Sequence, residues 1–231
     1  MGGRVEIMDT TLRDGEQTTG VSFGESEKLA ITRLLLEELK VDRVEVASAR
    51  VSEGEYRSVK RIIEWAAKNN SLHKIEILGF VDGFHTLDWI ESAGGRVLNL
   101  LTKGSLKHLN GQLRKTPQEH WTDIEALLNE ASKRKIEVNL YLEDWSNGMI
   151  DSKEYLFFMV DRLSKSNVRR IMLPDTLGIF NPHQTYDACR AMIERYPNIH
   201  FDFHAHNDYD LSVANVYMAL KAGVRGVHTT V

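Results

Sequence analysis

The chain has 231 residues, of which 42% are hydrophobic and 27% charged, the balance of an ordinary folded protein with a sizeable core. Its formal net charge is -4 and no basic stripe gathers along it, which excludes a nucleic-acid surface of the usual electrostatic kind. No run of about 18 apolar residues is present to span a membrane, Met-Gly-Gly-Arg at the start has no apolar signal region, and the one cysteine, Cys189, permits no disulfide framework, so a cytoplasmic location is expected.

In chain order, short apolar runs alternate with longer amphipathic stretches. Strands are expected near 5–9, 43–48, 74–80, 96–102, 137–143, 169–174, 200–206 and 226–231, and helices near 25–40, 53–69, 84–93, 117–134, 152–166, 182–195 and 209–222. Strict alternation of this kind argues for βαβ units and a parallel sheet. Eight units point to the α/β class and a closed (β/α)8 TIM barrel rather than an open, doubly wound sheet. Helix starts support the parse. Thr116-Pro117-Gln118-Glu119, Ser52-Glu53-Gly54-Glu55 and Asn181-Pro182-His183-Gln184 each put a capping residue ahead of the helix and an acid or amide at its third position. Trp121, Ile124, Leu128 and Ala131 recur at spacings of three and four and predict one buried stripe. With no Gly/Ser-rich linker, residues 1–231 read as one barrel domain. A full barrel continues past its eighth strand into a loop and an eighth helix, so a barrel truncated after strand eight is expected.

Barrel chemistry sits where strands end and the following loops begin. Alternate side chains of a strand share a face. On strand seven His200, Asp202, His204 and His206 therefore point one way, and Phe201, Phe203 and Ala205 the other. Two imidazoles two residues apart can converge on one metal ion, although a bare His-x-His also occurs as a hydrogen-bonded pair. Strand one runs into the polar segment Asp9-Thr10-Thr11-Leu12-Arg13-Asp14-Gly15-Glu16-Gln17. Asp14 offers a carboxylate to the same ion, leaving open positions for substrate and water. Arg13 offers a planar fork for a substrate carboxylate, with a salt-bridged loop as the plainer alternative. On strand five the parity turns Asn139, Tyr141 and Glu143 inward. Glu143 at the barrel mouth suits a general base, or else a structural carboxylate paired with a neighbouring Arg or Lys. Thr176, after strand six, suits a donor to a bound carboxylate or a turn cap. Glu45 faces inward on strand two as support for such a site. Leu78 and Leu101 face inward near the top of strands three and four. Cys189, in a predicted helix, reads as a buried inert thiol.

The segments Asp9–Gln17 and His204-Ala205-His206-Asn207-Asp208, with Asp175-Thr176-Leu177-Gly178 between them, resemble the signatures of the isopropylmalate/homocitrate/citramalate synthase family. Tyr141-Leu142-Glu143-Asp144-Trp145-Ser146-Asn147-Gly148 on strand five is most similar to the bacterial (R)-citramalate synthases. The resemblance implies metal ligation by Asp14, His204 and His206, with Zn, Mn or Mg as the ion. It implies that Arg13 and Thr176 hold a 2-oxo acid, that Glu143 is the base, and that Leu78, Leu101 and Tyr141 shape the acid's side-chain pocket. It further implies acetyl-CoA as co-substrate and a homodimer, while the charge and hydropathy above lead us to expect no nucleic-acid or membrane partner. The family's loop after strand eight, its helical subdomains and its regulatory domain have no counterpart in these residues. Isopropylmalate synthase is the first rival. A hydroxymethylglutaryl-CoA-type lyase is the second, for which Cys189 in mid-helix is poorly placed. A non-catalytic binding module is the third.

Overall fold

In the computed structural model, which describes residues 4–231, eight parallel strands close on themselves in sequence order. They are β1 (Glu6–Asp9), β2 (Arg43–Ser48), β3 (Ile75–Phe80), β4 (Val97–Lys103), β5 (Glu137–Glu143), β6 (Arg170–Asp175), β7 (Phe201–Ala205) and β8 (Gly226–Thr229). The expected TIM barrel is the fold observed, and each expected strand is present within about two residues at its ends. The longer helices are α1 (Glu25–Arg33), α2 (Glu53–Lys68), α3 (His85–Ala93), α5 (Pro117–Lys133), α7 (Lys153–Leu163), α8 (Pro182–Arg195) and α9 (Ser212–Ala222). Two short ones, α4 (Leu106–His108) and α6 (Trp145–Asp151), were not expected; α4 runs on into a π-helical turn, Leu109–Leu113. Both lie inside βα loops and are too short to show an apolar period. The predicted helix 25–40 is α1 followed by a second π-helical turn, Leu34–Glu38.

The caps form as the sequence implied. Ser52 Oγ accepts the Glu55 N–H at 3.1 Å, and Asn181 Oδ1 accepts that of Gln184 at 3.0 Å. Thr116 and Glu119 exchange hydrogen bonds in a capping box. The α5 stripe of Trp121, Ile124, Leu128 and Ala131 is buried, as expected. Cys189 on α8 is fully buried, and burial raises its thiol pKa, which keeps it an unreactive thiol at neutral pH. Among the described residues no helix is long and apolar enough to cross a membrane.

Residues 6–100, 129–138 and 228–231 form one contact-rich part of the chain. Here β1 pairs with β2 in the register Met8↔Arg43, and β2 pairs with β3 through Val44↔Ile75 and Glu45↔Glu76. The buried Arg43 guanidinium lies 3.2 Å from both carboxylate oxygens of Glu76. A charge facing the inside of a barrel needs such a partner, because no water replaces its lost hydration. Residues 101–128 and 139–227 form a second part. Its strands pair as Tyr141↔Met172, Pro174↔His204 and Asp202↔Gly226. Buried Arg170 stands 3.8 Å from Asp202, and His200 lies 3.0 Å from the same carboxylate. Asp202 fits only because its register partner has no side chain: a Cβ on Gly226 would sit 2.0 Å from Asp202 Oδ1. Gly226→Ala should therefore overpack this layer and cost about 1–3 kcal/mol, read as a lower denaturant midpoint at unchanged m-value. Unchanged stability would mean that Asp202 has room to move.

Candidate functional site

Strand β7 carries His204, buried, and is followed at once by His206, half-buried. Their Nε2 atoms face each other at 3.2 Å. Asp14, the carboxylate that the sequence pairs with them, stands on the loop after β1. Two imidazole nitrogens and one carboxylate oxygen are the donors a borderline divalent cation takes, leaving further positions for substrate. Two facing ring nitrogens suit a cation better than each other, since a direct bond requires one of them to give up its lone pair to a proton. The residues thus fit a divalent metal. Tyr141 meets the His204 ring edge-on, with centroids 6.0 Å apart.

Arg13 and Asp14 sit on the loop after β1, and ion pairs fix their place. Arg13 Nε donates to Glu45 Oε2 at 2.5 Å, and Nη1 donates to Asp14 Oδ1 at 2.7 Å. Glu45, fully buried on β2, also accepts from Asn99 Nδ2 at 2.7 Å. Glu45 thus faces inward, as its parity predicted, and is bonded to Arg13. Farther along the loop, Glu16 is held by Lys28 of α1. This lysine is fully buried, and its ammonium bonds Glu16 at 2.5 Å, Glu55 at 2.6 Å and the Leu12 carbonyl at 3.3 Å. All three ammonium donors are used, so Lys28 ties the loop that bears Arg13 and Asp14 to the start of α2. A cavity of about 310 Å³ reaches Arg13 and is lined by Leu12, Glu16, Gln17, Ser48 and Ser52 among others.

The end of β5 holds a second polar cluster. Glu143, half-buried, is ion-paired with Lys103 at the end of β4, and the Lys103 ammonium also donates to Gln112 Oε1 at 2.5 Å. The alternative of a carboxylate paired with a neighbouring lysine is therefore realised at Glu143. His108 of α4 lies 3.8 Å from Glu143 and 3.6 Å from Asp144. Asp144 has a left-handed backbone (φ 65°) and accepts from Ser105 Oγ at 2.6 Å and Asn147 Nδ2 at 2.7 Å. Thr176 Oγ1 accepts the Asp144 N–H at 2.9 Å, which leaves its hydroxyl proton for another acceptor. Asp175 fixes the Thr176 turn by accepting the N–H groups of Ile179 and Phe180 at 3.1 and 3.0 Å. Of the apolar trio, Leu78 and Tyr141 are buried and Leu101 is half-buried; none of the three lines the cavity at Arg13. Lys103, His108 and Gln112 were not foreseen. Lys103 shares the parity of inward Leu101 and lies two residues farther along β4, so the alternation already pointed to it. His108 and Gln112 sit on a short helix and a π turn, where no such signal exists.

The model of the HMGL-like family matches residues 4–231. The chain belongs to the HMGL-like family. Relatives with close scores bear three names. A putative (R)-citramalate synthase of Methanopyrus kandleri is 31% identical, over 98% of this chain and 43% of its own length. A 2-isopropylmalate synthase of Buchnera aphidicola is 31% identical, over 100% and 44%. A homocitrate synthase of Saccharolobus islandicus is 31% identical, over 99% and 48%. These are the names in the family that the motifs resemble. The chain spans somewhat less than half the length of these relatives. Among solved structures, a hydroxymethylglutaryl-CoA lyase from Acinetobacter baumannii, determined with coenzyme A and 3-methylmalate, superposes with a TM-score of 0.76 at 20% identity, covering 100% of this chain and 77% of that one. That likeness speaks for the fold.

In this HMGL-like barrel one further histidine is fully embedded. His120 on α5 is 1% exposed, and its Nε2 accepts the Lys103 N–H at 3.3 Å. Burial, and then the charge of Lys115, push its pKa down to about 4 from 6.5. The folded state thus resists a proton that the unfolded state takes up. Its contribution to stability is whole above about pH 6.5 and is lost as pH falls towards 4, on the order of 3 kcal/mol in all. His120→Gln should flatten the stability profile between those limits; a profile parallel to the parent's would place the acid sensitivity elsewhere. Lys28→Met leaves two carboxylates facing a buried methyl group and should cost about 3–5 kcal/mol. Proteolysis within residues 10–24 should speed up, and an equally resistant loop would show that Lys28 does not anchor it.

Proposed function

We propose that this chain is the catalytic barrel, residues 1–231, of a metal-dependent synthase that condenses acetyl-CoA with pyruvate to give (R)-citramalate and CoA, a carbon–carbon bond-forming acyl transfer on the route to branched-chain amino acids such as isoleucine. The observation that carries this reading is the facing pair of His204 and His206, whose Nε2 atoms lie 3.2 Å apart, in a family whose named relatives are synthases; Asp14 is assigned as the third donor.

The chemistry assigns a part to each residue. Arg13, steadied by Glu45, binds the 2-oxo acid carboxylate, and the remaining hydroxyl proton of Thr176 donates to it. Zn, Mn or Mg held by Asp14, His204 and His206 supplies Lewis-acid polarisation of the 2-oxo group. Glu143 takes a proton from the acetyl methyl of acetyl-CoA, and the C–H electron pair passes into an enolate. The enolate carbon attacks the 2-oxo carbon, and the new alkoxide is stabilised by the Arg13 guanidinium before taking a proton. Water then cleaves the thioester, releasing CoA and the diacid. Leu78, Leu101 and Tyr141 are the residues assigned to the acid's side chain. An apolar pocket discriminates by only about 1–3 kcal/mol per methyl group, so pyruvate is chosen over 2-oxoisovalerate on the strand-five resemblance. The runner-up is 2-isopropylmalate synthesis, since a relative of that name stands at equal identity. Cleavage of the lyase type is disfavoured because Glu143 within its strand-five segment argues for synthesis, and Cys189 is sealed within α8. Dimeric assembly is part of the same proposal.

The test is CoA release, followed with a thiol reagent, from the full-length protein given acetyl-CoA and either acid. Release with pyruvate that is abolished by chelator, and lost in His204→Ala, is the expected result. Release with 2-oxoisovalerate alone moves the protein to the isopropylmalate branch. No release with either acid overturns the synthase reading.

A further inference from the structure

Glu143 cannot act as a base merely by being present. Its carboxylate must be ionised and held at one angle, because a loosely held base loses the advantage of proximity. Three contacts tie the end of β5 to the end of β4. Thr102 Oγ1 donates to the Tyr141 carbonyl at 2.7 Å, the Gly104 N–H donates to the Glu143 carbonyl at 2.7 Å, and the Lys103 ammonium pairs with the Glu143 carboxylate.

Lys103 is itself clamped along its whole length. His120 Nε2 accepts its N–H, Tyr155 Oη donates to its carbonyl at 2.7 Å, and Gln112 Oε1 accepts from its ammonium at 2.5 Å. Three different helical elements therefore fix one lysine. Holding a lysine side chain costs rotamer entropy; here His120 and Tyr155 fix the Lys103 backbone and Gln112 restrains its side chain, all independently of Glu143. Lys103 is buried at 8% exposure, which sets the pair apart from a solvated surface ion pair. Among the described residues, the charged and titratable groups set against the Glu143 carboxylate are Lys103 from β4, which is bonded to it, and His108 from α4, whose nearest nitrogen stands 3.8 Å away; Asp144, next in sequence, lies 3.6 Å from the same His108.

We infer that Lys103 is a positioning residue for proton abstraction: fixed by Gln112, His120 and Tyr155, it aims the Glu143 carboxylate at the acetyl methyl. The inference rests on Glu143 being the base. The Lys103 ammonium bonds Gln112 and Glu143, so its loss is expected to act on the chemical step rather than on binding of the acid.

The experiment uses the full-length protein and four variants: Lys103→Met, Lys103→Arg, Gln112→Leu and Glu143→Gln. It measures kcat, the KM for the 2-oxo acid, metal content, and solvent deuterium entering the acetyl methyl. Lys103→Met should lower kcat and deuterium entry together by about 10²-fold, the lower end of what a positioned base contributes, with KM within about twofold and metal content unchanged. Lys103→Arg should recover about tenfold, and Gln112→Leu should lose about tenfold in the same pattern. If Lys103→Met fails to fold, the other two variants decide. A kcat within twofold of the parent in Lys103→Met, a loss that falls on KM or metal content, or an arginine variant no better than the methionine one overturns the inference. Should the parent be active and Glu143→Gln inactive while Lys103→Met stays active, only the role of Lys103 falls. An active Glu143→Gln, or an inactive parent, removes the base reading and this inference with it.

Discussion

A charge that points into a closed barrel has no water to return to, and the structure is organised around that constraint. Strand alternation sends every second side chain inward, and several of those positions carry charge. Those on strands are met by an opposite charge at a neighbouring strand: Arg43 by Glu76, Arg170 by Asp202, Lys103 by Glu143. Arg13, on the loop after β1, reaches buried Glu45 on β2 in the same way. The first two pairs are sealed, whereas Glu143 and Arg13 are partly open, so their electrostatics can be turned toward a substrate. The chemistry of the site is thus the open form of the arrangement that fills the interior.

Much of this was legible in the sequence because a strand period of two leaves little freedom. Once β5 was placed at 137–143, Glu143 had to face the same way as Asn139, and once β7 was placed, His204 and His206 had to share a face. Glu45 faces inward by the same rule. Lys103 follows from the identical rule applied to β4 and was missed by stopping at Leu101. The α4 helix, the π turn bearing Gln112, and α6 were not legible. They are too short to carry a period, and their form is dictated by contacts distant in sequence. At α6 the close approach is explicit: a Cβ on Gly148 would lie 2.1 Å from the Gly104 carbonyl oxygen. Nothing local to residues 145–151 announces that neighbour.

The caps show where local and global signals agree. At Ser52, Thr116 and Asn181 the residues that satisfy the first helical turn are adjacent in sequence, and each cap formed as expected. Asp175 is the contrasting case. The sequence assigned it no role of its own, and its oxygens accept the N–H groups of Ile179 and Phe180. The benefit passes to Thr176, whose oxygen accepts from Asp144 and whose proton is left to give.

The candidate functional groups in this chain are held in two physically different ways. Glu143 and His204 stand on strands, where register fixes the backbone and the side chain needs only one further contact to be aimed. Arg13, Asp14 and Thr176 stand on loops, where no ladder of hydrogen bonds fixes the backbone. The loop groups are aimed instead by buried ion pairs and side-chain-to-backbone bonds, above all Lys28 with Glu16 and Glu55, and Asp175 with its own turn. Such anchors depend on the charge state and geometry of a few atoms, whereas a register is shared across the whole sheet. Loss of one loop anchor therefore frees a whole segment, while loss of one strand contact leaves the backbone in place and disturbs a single side chain. Substitutions of equal size in the two settings should differ in kind: anchor changes act on substrate and metal binding together, and strand-contact changes act on the chemical step alone.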